Sequence, residues 1–94
     1  MVVIMDHVVR SIREVLVRNG NPSVDPFGIE IDDNLFDLGM SSFQSVQLMM
    51  ALEDCFDLQF PDDLIRKETF SSIRSMAEAV DFILGERLAV RRAV

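Results

Sequence analysis

The sequence predicts an all-α fold, a small four-helix bundle with three long helices, one short helix and a long loop between helices 1 and 2. Apolar residues recur at spacings of three and four in three stretches, and no stretch combines sustained alternation with a hairpin turn. The chain has 94 residues, of which 49% are hydrophobic. That is enough apolar material for one core and too little for two.

Helix 1 is predicted to run from Val3 to Arg18. Asn19–Pro22 should end it, because Gly20 accepts the left-handed cap conformation and a proline cannot continue a helix. His7, the only histidine, has no nearby ligand or nucleophile in the sequence and is expected at the surface. The core-facing residues at helical spacing are Met5, Val8, Val9, Ile12, Val15 and Leu16.

Residues 20–41 form a long connection with two prolines and five acidic residues. A loop of this length in a small domain needs anchors or a function. Leu35, Phe36 and Leu38 are the expected apolar anchors, within a short helical turn at Asp33–Asp37. We therefore expect the loop to lie across the bundle.

Helix 2 is predicted to span Ser42 to Phe56. Ser41 and Gln44 have the spacing of a capping box, in which the serine caps the helix and the glutamine side chain reaches back to the serine N–H. A short helix is expected at Asp62–Arg66, since the preceding proline is acceptable at a helix entry.

The last helix is predicted from Ser72 to Leu84, capped by Ser71 and ended by Gly85. Residues 1–85 would then form the domain. Residues 86–94, with three arginines and no stop signal, are expected to be a flexible tail. The core stripe of this helix is Ile73, Met76, Ala77, Val80, Ile83 and Leu84.

Helix 2 has apolar residues on two opposite faces when it is drawn at about 100° per residue. Phe43, Val46 and Met50 lie opposite the core face, beside acidic residues. Either the long loop covers them, or they form an exposed surface for binding proteins. We favour the second interpretation, because methionine suits a face that meets several partners. The core face contains Ser45, Leu48, Met49, Leu52, Cys55 and Phe56, with Cys55 expected to be a buried small hydrophobe.

The net charge of −7 is concentrated in the middle of the chain, where residues 21–68 hold eleven acidic and two basic residues. This distribution argues against nucleic-acid binding and favours partners with basic surfaces. The single cysteine cannot form an internal disulfide, and no apolar run has the length of a signal peptide or a membrane span. We expect a cytoplasmic protein without membrane association.

No set of residues in the sequence predicts catalysis or metal binding, so an enzyme is not expected. Ser42 is nevertheless notable, because it opens helix 2 directly after a turn at Gly39. Ser41 is used for capping, which leaves Ser42 with the freer hydroxyl. The positive end of the helix would favour a negatively charged group attached there.

Four segments carry a resemblance to a known family: Gly39-Met40-Ser41-Ser42-Phe43, Leu48–Phe56, Phe60-Pro61-Asp62 and Thr69-Phe70-x-Ser72-Ile73. Together they resemble an acyl carrier protein, over roughly residues 5–84. The resemblance implies that Ser42 bears 4′-phosphopantetheine, added from coenzyme A by a phosphopantetheinyl transferase. The thiol of that group would hold an acyl or aminoacyl unit as a thioester for a downstream enzyme. The positions that the resemblance assigns to partner binding are Phe43, Gln44, Val46, Gln47, Met50, Glu53 and Asp54.

Two departures from the family pattern matter, one at the residue before Ser42 and one on the recognition face. Ser41 stands where the family commonly has aspartate, and Gln44 and Gln47 stand where it often has acids. The recognition face is therefore more neutral than in carriers of fatty-acid synthesis.

The run Ser-Ser-Phe-x-Ser-Val-Gln-Leu resembles discrete aminoacyl carrier proteins, which amino acid:carrier protein ligases charge. Glycine or alanine is the cargo that this resemblance implies, on a monomeric carrier. Other acyl-loading enzymes would serve the alternatives, which are a fatty-acid or polyketide acyl carrier and a D-alanyl carrier. An unmodified helical interaction module is the alternative without a covalent group.

Overall fold

The computed structural model describes residues 2–19 and 24–93, with side chains described for 6–19 and 24–86. All regular secondary structure in the described part of the chain is helical and none of it is strand, so the predicted all-α class is confirmed. The predicted helix stop at Gly20–Pro22 lies outside the described residues. The elements in order are α1 (Val2–Asn19), α2 (Ser42–Phe56), two 3-10 helices (Asp62–Leu64 and Lys67–Phe70) and α3 (Ile73–Ala93).

The core lies between the three α-helices, and the predicted stripes supply most of it. Leu48 and Leu52 of α2 are fully buried, while Phe60 and Phe70 close one end as an edge-to-face ring pair with centroids 5.3 Å apart. Each of these contacts removes apolar surface from water, which is the main favourable term in folding. The other fully buried large side chains are Val8, Ile12, Ile73, Met76 and Val80.

The long loop lies across the bundle, as predicted, and polar bonds hold it there. The Arg13 guanidinium donates to the carbonyls of Pro26 and Ile29, each at 2.7 Å. Further along, the Leu35 N–H donates to the Ser71 carbonyl at 2.7 Å. The loop thus joins α1 to the segment that precedes α3.

Two of the three expected apolar anchors of the loop contact the core. Leu35 is buried and Phe36 is half-buried, but Leu38 is 39% exposed. Met40, which the pattern did not single out, is the second buried anchor at 8% exposure. It directly precedes the serines that open α2.

The expected short helix at Asp62–Arg66 is present only as a 3-10 helix over Asp62–Leu64, and the four-helix count is not confirmed. The Leu64 N–H donates to Pro61 and the Ile65 N–H to Asp62, which is 3-10 rather than α bonding. Ile65 then leaves helical geometry and Arg66 is extended, with φ −149° and ψ 160°. The chain therefore crosses from α2 to α3 in two tight turns.

Ser72, and not Ser71, caps α3. The Ser75 N–H donates to Ser72 Oγ and the Ser72 N–H donates to Ser75 Oγ, both at 3.1 Å. The Ser71 hydroxyl instead donates to the Glu68 carbonyl at 2.8 Å. The prediction was wrong by one residue because two adjacent serines offer the same local chemistry.

Helix α3 passes through Gly85 and continues to Ala93, so the predicted helix end was wrong. A glycine inside a helix costs only about 1 kcal/mol, and no proline follows it in the chain. The domain boundary at residue 85 and the flexibility of residues 86–94 stay predictions.

Asp32 and Arg74 form a two-bond ion pair, at 2.5 and 3.0 Å, between the loop and α3. The hydrogen bond and the charge of the Arg74 guanidinium lower the pKa of the Asp32 carboxyl from its ordinary 3.8. A lowered pKa in the folded state means that the pair stabilises the fold above that ordinary value. Its contribution is lost as the pH falls through the lowered pKa.

We predict that Asp32→Asn lowers the melting temperature at neutral pH, modestly because both side chains are exposed. The difference from the wild type should vanish below the lowered pKa of Asp32, as followed by circular dichroism. Asp81→Asn, an exposed acid on α3, is the control and should not show this trend. A wild-type advantage that is the same at both pH values would contradict the role of the ion pair.

Candidate functional site

A tight turn leads into α2 and sets the position of its first residues. Gly39 has φ 109°, a conformation that side chains other than glycine rarely adopt. The Gly39 N–H donates to the Phe36 carbonyl at 3.1 Å, and the Met40 N–H to the Leu35 carbonyl at 3.0 Å. Since Leu35 and Met40 are also buried, the turn holds the start of α2 against the core.

The predicted capping box at Ser41 is present. The Gln44 N–H donates to Ser41 Oγ at 3.1 Å, and the Ser41 N–H donates to Gln44 Oε1 at 2.8 Å. The serine hydroxyl and the glutamine oxygen are therefore both occupied in starting the helix.

Ser42 follows in the first turn of α2 with an exposed side chain. None of the residues whose side chains are described hydrogen-bonds to its Oγ, whereas its carbonyl accepts from Ser45 Oγ at 2.6 Å. The backbone N–H groups of Ser42 and Phe43 likewise have no acceptor within the described residues. A free hydroxyl beside two free N–H groups at a helix N-terminus fits a phosphate ester.

The apolar face of α2 that lies away from the core is open to solvent. Phe43 is 71% exposed, Met50 59% and Val46 51%. The interpretation in which the long loop covers these residues was therefore wrong. Together with their polar neighbours they form a continuous surface, here called the α2 face, made of Phe43, Gln44, Val46, Gln47, Met50, Glu53 and Asp54.

The polar residues of the α2 face differ in how free they are. Gln47 and Asp54 are exposed, and Gln44 and Glu53 are half-buried. The Glu53 carboxylate accepts from the Phe60 N–H at 3.0 Å, so it also secures the chain after α2. Exposed apolar groups with a polar rim are typical of surfaces that bind proteins.

Cys55 is exposed, and its expected burial was wrong. It lies at about 220° from Ser42 at the ordinary helical rotation, the limit of the arc assigned to the core. Leu48 and Leu52, nearer the centre of that arc, are fully buried. The packed elements thus cover a narrower arc than the apolar pattern suggests.

A cleft of about 260 Å³ opens beside Ser42, between α2 and the second 3-10 helix. Lys67 extends over the Phe36 ring, with Nζ 4.9 Å from the ring centroid. Sequence reasoning missed this cleft, although one signal was available: Arg66 and Lys67 are the only bases in residues 21–68. The cleft is lined by Phe36, Ser42, Ser45, Val46, Met49, Ile65, Arg66, Lys67 and Phe70.

Two other kinds of site are absent from the described residues. No helix there is long and apolar enough to span a membrane. No three histidine, cysteine, aspartate or glutamate residues there are grouped as a metal site would need. His7 is exposed, as expected.

Comparison with known proteins decides the family. Residues 8–80 match the family described as "Phosphopantetheine attachment site". The chain belongs to this family of carrier proteins. The predicted family is thus confirmed: the protein is a phosphopantetheine-bearing carrier and is not itself an enzyme.

Individual relatives agree with the family. The chain is 39% identical over 74 residues to an aminoacyl carrier protein of Agrobacterium fabrum, covering 79% of this chain and 89% of that protein. It is also 39% identical over 62 residues to an acyl carrier protein of Prochlorococcus marinus, covering 65% and 71%.

A solved structure is similar as well. It is the crystal structure of an engineered Bradyrhizobium japonicum glycine:[carrier protein] ligase complexed with a carrier protein from Agrobacterium tumefaciens and ATP. The match has a TM-score of 0.79 at 38% identity and covers 82% of this chain and 100% of the matched chain.

Replacing each of the two adjacent serines by alanine should have different effects on the free energy of unfolding. Ser41→Ala should lower the free energy of unfolding by about 1 kcal/mol, because the cap is lost. Ser42→Ala should change it by less than about 0.5 kcal/mol, since no described contact depends on its hydroxyl. Urea unfolding of both variants measures this, and equal losses would contradict the division of roles.

Proposed function

We propose that this carrier holds its 4′-phosphopantetheine on Ser42 and carries a small amino acid, glycine or alanine, as a thioester in the cytoplasm. The observation that carries the assignment of the residue is the free, exposed Ser42 hydroxyl beside a Ser41 hydroxyl that is occupied in the cap. The group, when bound, supplies a terminal thiol on a long arm, and the chain supplies the anchoring oxygen.

The helix start suits the negative charge of a phosphodiester. The free N–H groups of Ser42 and Phe43 and the positive end of the α2 dipole would both stabilise it. No acidic residue lies in the first turn of α2 to oppose that charge. These features favour Ser42 as the site of attachment.

The interior of the bundle supports a small cargo. The apolar cavity between α1 and the loop, lined by Leu16, Ile29 and Met40 among others, has a volume of only about 30 Å³. That space holds one or two water-sized groups, so a long acyl chain does not fit in this cavity. The larger cleft beside Ser42, of about 260 Å³, lies at the surface and does not enclose a chain. An aminoacyl thioester needs no interior space.

The α2 face is the surface we propose for partner enzymes. Three partners are proposed: a phosphopantetheinyl transferase, an amino acid:carrier protein ligase and a downstream acceptor of the aminoacyl group. Support for the ligase comes from the similarity to a chain in the glycine:[carrier protein] ligase complex. With exposed apolar residues and neutral Gln44 and Gln47, the surface favours apolar contacts over long-range charge steering. We propose that the carrier itself is a monomer.

Modification of Ser42 is tested by mass. Incubation with coenzyme A and a broad-specificity phosphopantetheinyl transferase should add one phosphopantetheine to the wild type and to Ser41→Ala. Ser42→Ala should gain nothing while keeping its helical circular dichroism spectrum. A gain of phosphopantetheine by the folded Ser42→Ala variant would contradict the proposal.

The partner face and the cargo are tested by loading. Holo protein with ATP, glycine and a glycine:[carrier protein] ligase should gain one glycyl mass. Met50→Asp should lower kcat/KM for the carrier about tenfold or more, as expected when a residue central to an interface is lost.

Phe82→Asp is the matched control for that assay, because Phe82 is an exposed apolar residue of α3, 56% exposed, outside the α2 face. It should load as the wild type does. Equal rates for all three proteins would reject the α2 face as the contact. A holo form isolated from its own cells with a long acyl chain would reject the aminoacyl cargo.

A further inference from the structure

The cleft beside Ser42 contains two positive charges that form no salt bridge within the described residues. Arg66 and Lys67 are the only bases among residues 21–68, against eleven acids, and both line this cleft. Arg66 is exposed and makes no ion pair within the described residues. Two cations thus meet at the one place in the acidic segment where an anion is expected.

The local structure restrains one of these cations and leaves the other free to move. Lys67 Nζ lies over the half-buried Phe36 ring at 4.9 Å from its centroid. A cation over a ring keeps N–H donors available on its other sides. Arg66 sits in extended backbone between the two 3-10 helices, and its guanidinium has the forked donor geometry that matches a phosphate.

We propose that Arg66 and Lys67 bind the phosphodiester of the prosthetic group and dock its arm in the cleft. This inference rests on the proposed attachment at Ser42. A phosphate bonded to Ser42 Oγ lies at the cleft, because Ser42 is itself part of the cleft wall. The two cations would neutralise its charge, and the side chains of Val46, Met49 and Ile65 offer apolar contact to the carbon chain beyond it.

Docking of this kind is reversible. Contacts between exposed cations and a phosphate are weakened by water and by salt. The cleft is partly open to solvent, so the arm has a way out. The arm would therefore rest in the cleft of the free carrier and move out when a partner enzyme on the α2 face takes it.

The test compares amide chemical shifts of the apo and holo proteins by ¹⁵N NMR. Wild type is measured beside the double variant Arg66→Gln/Lys67→Gln and the control Arg18→Gln, which neutralises an exposed arginine on α1. In wild type and control, attaching the group should shift the amides of residues 65–70 as well as those next to Ser42. In the double variant, the shifts at residues 65–70 should be lost.

Two further measurements sharpen the result. Raising the salt concentration should remove the same shifts from the wild type, since the contact is ionic and exposed. Arg66→Lys/Lys67→Arg should retain them, because it keeps both charges. The apo spectrum of each variant reports whether its fold is intact, independently of any loading activity.

Three outcomes would overturn the inference. Shifts at residues 65–70 that persist in the double variant would show that the cations do not hold the arm. If the double variant keeps the wild-type apo-to-holo shifts and a ligase loads it more slowly, Arg66 and Lys67 contact a partner enzyme and not the arm. Intact mass separates these failures from failure of the proposed function: a chain that accepts no phosphopantetheine on Ser42 overturns both.

Discussion

The cap at the start of α2 is the interaction on which the rest of the site depends. Ser41 and Gln44 satisfy each other's N–H groups, and the buried Met40 immediately before them ties that cap to the core. The left-handed Gly39 makes the preceding turn tight enough for this arrangement. Ser42 is presented to solvent at a fixed place because Met40, Ser41 and Gln44 around it are held.

The two faces of α2 differ in their burial. Leu48 and Leu52 are fully buried, while Phe43 and Met50 are exposed. Hydration of exposed apolar side chains is unfavourable, and contact with another protein would remove them from water. The long loop, which could have covered them, is instead bonded to Arg13 of α1 and to the Ser71 carbonyl before α3. The fold therefore keeps one helix face exposed beside Ser42, the proposed site of attachment.

Rules about short segments predicted the features that depend only on residues close together in the sequence. The limits of α1 and α2, the capping box and the buried stripes follow from helical spacing and from serine chemistry. The predictions that were wrong depended on more than that. Gly85 does not end α3, because a glycine permits a helix end without requiring one. Ser72 and not Ser71 caps α3, because Ser72 and Ser75 bond to each other's N–H groups.

The sequence by itself determined that this chain is acidic and all-helical and that Ser42 has the freer of two hydroxyls, because composition, capping and periodicity are properties of single residues and short segments. The carrier family came from the resemblance of the residues around Ser42. Only the tertiary structure decided that the loop leaves the α2 face open, that Cys55 is exposed and that Arg66 and Lys67 share a cleft with Ser42. These features depend on where distant segments pack. Residues 42 and 67 are 25 positions apart in the chain, so rules about short segments cannot predict that they line the same cleft.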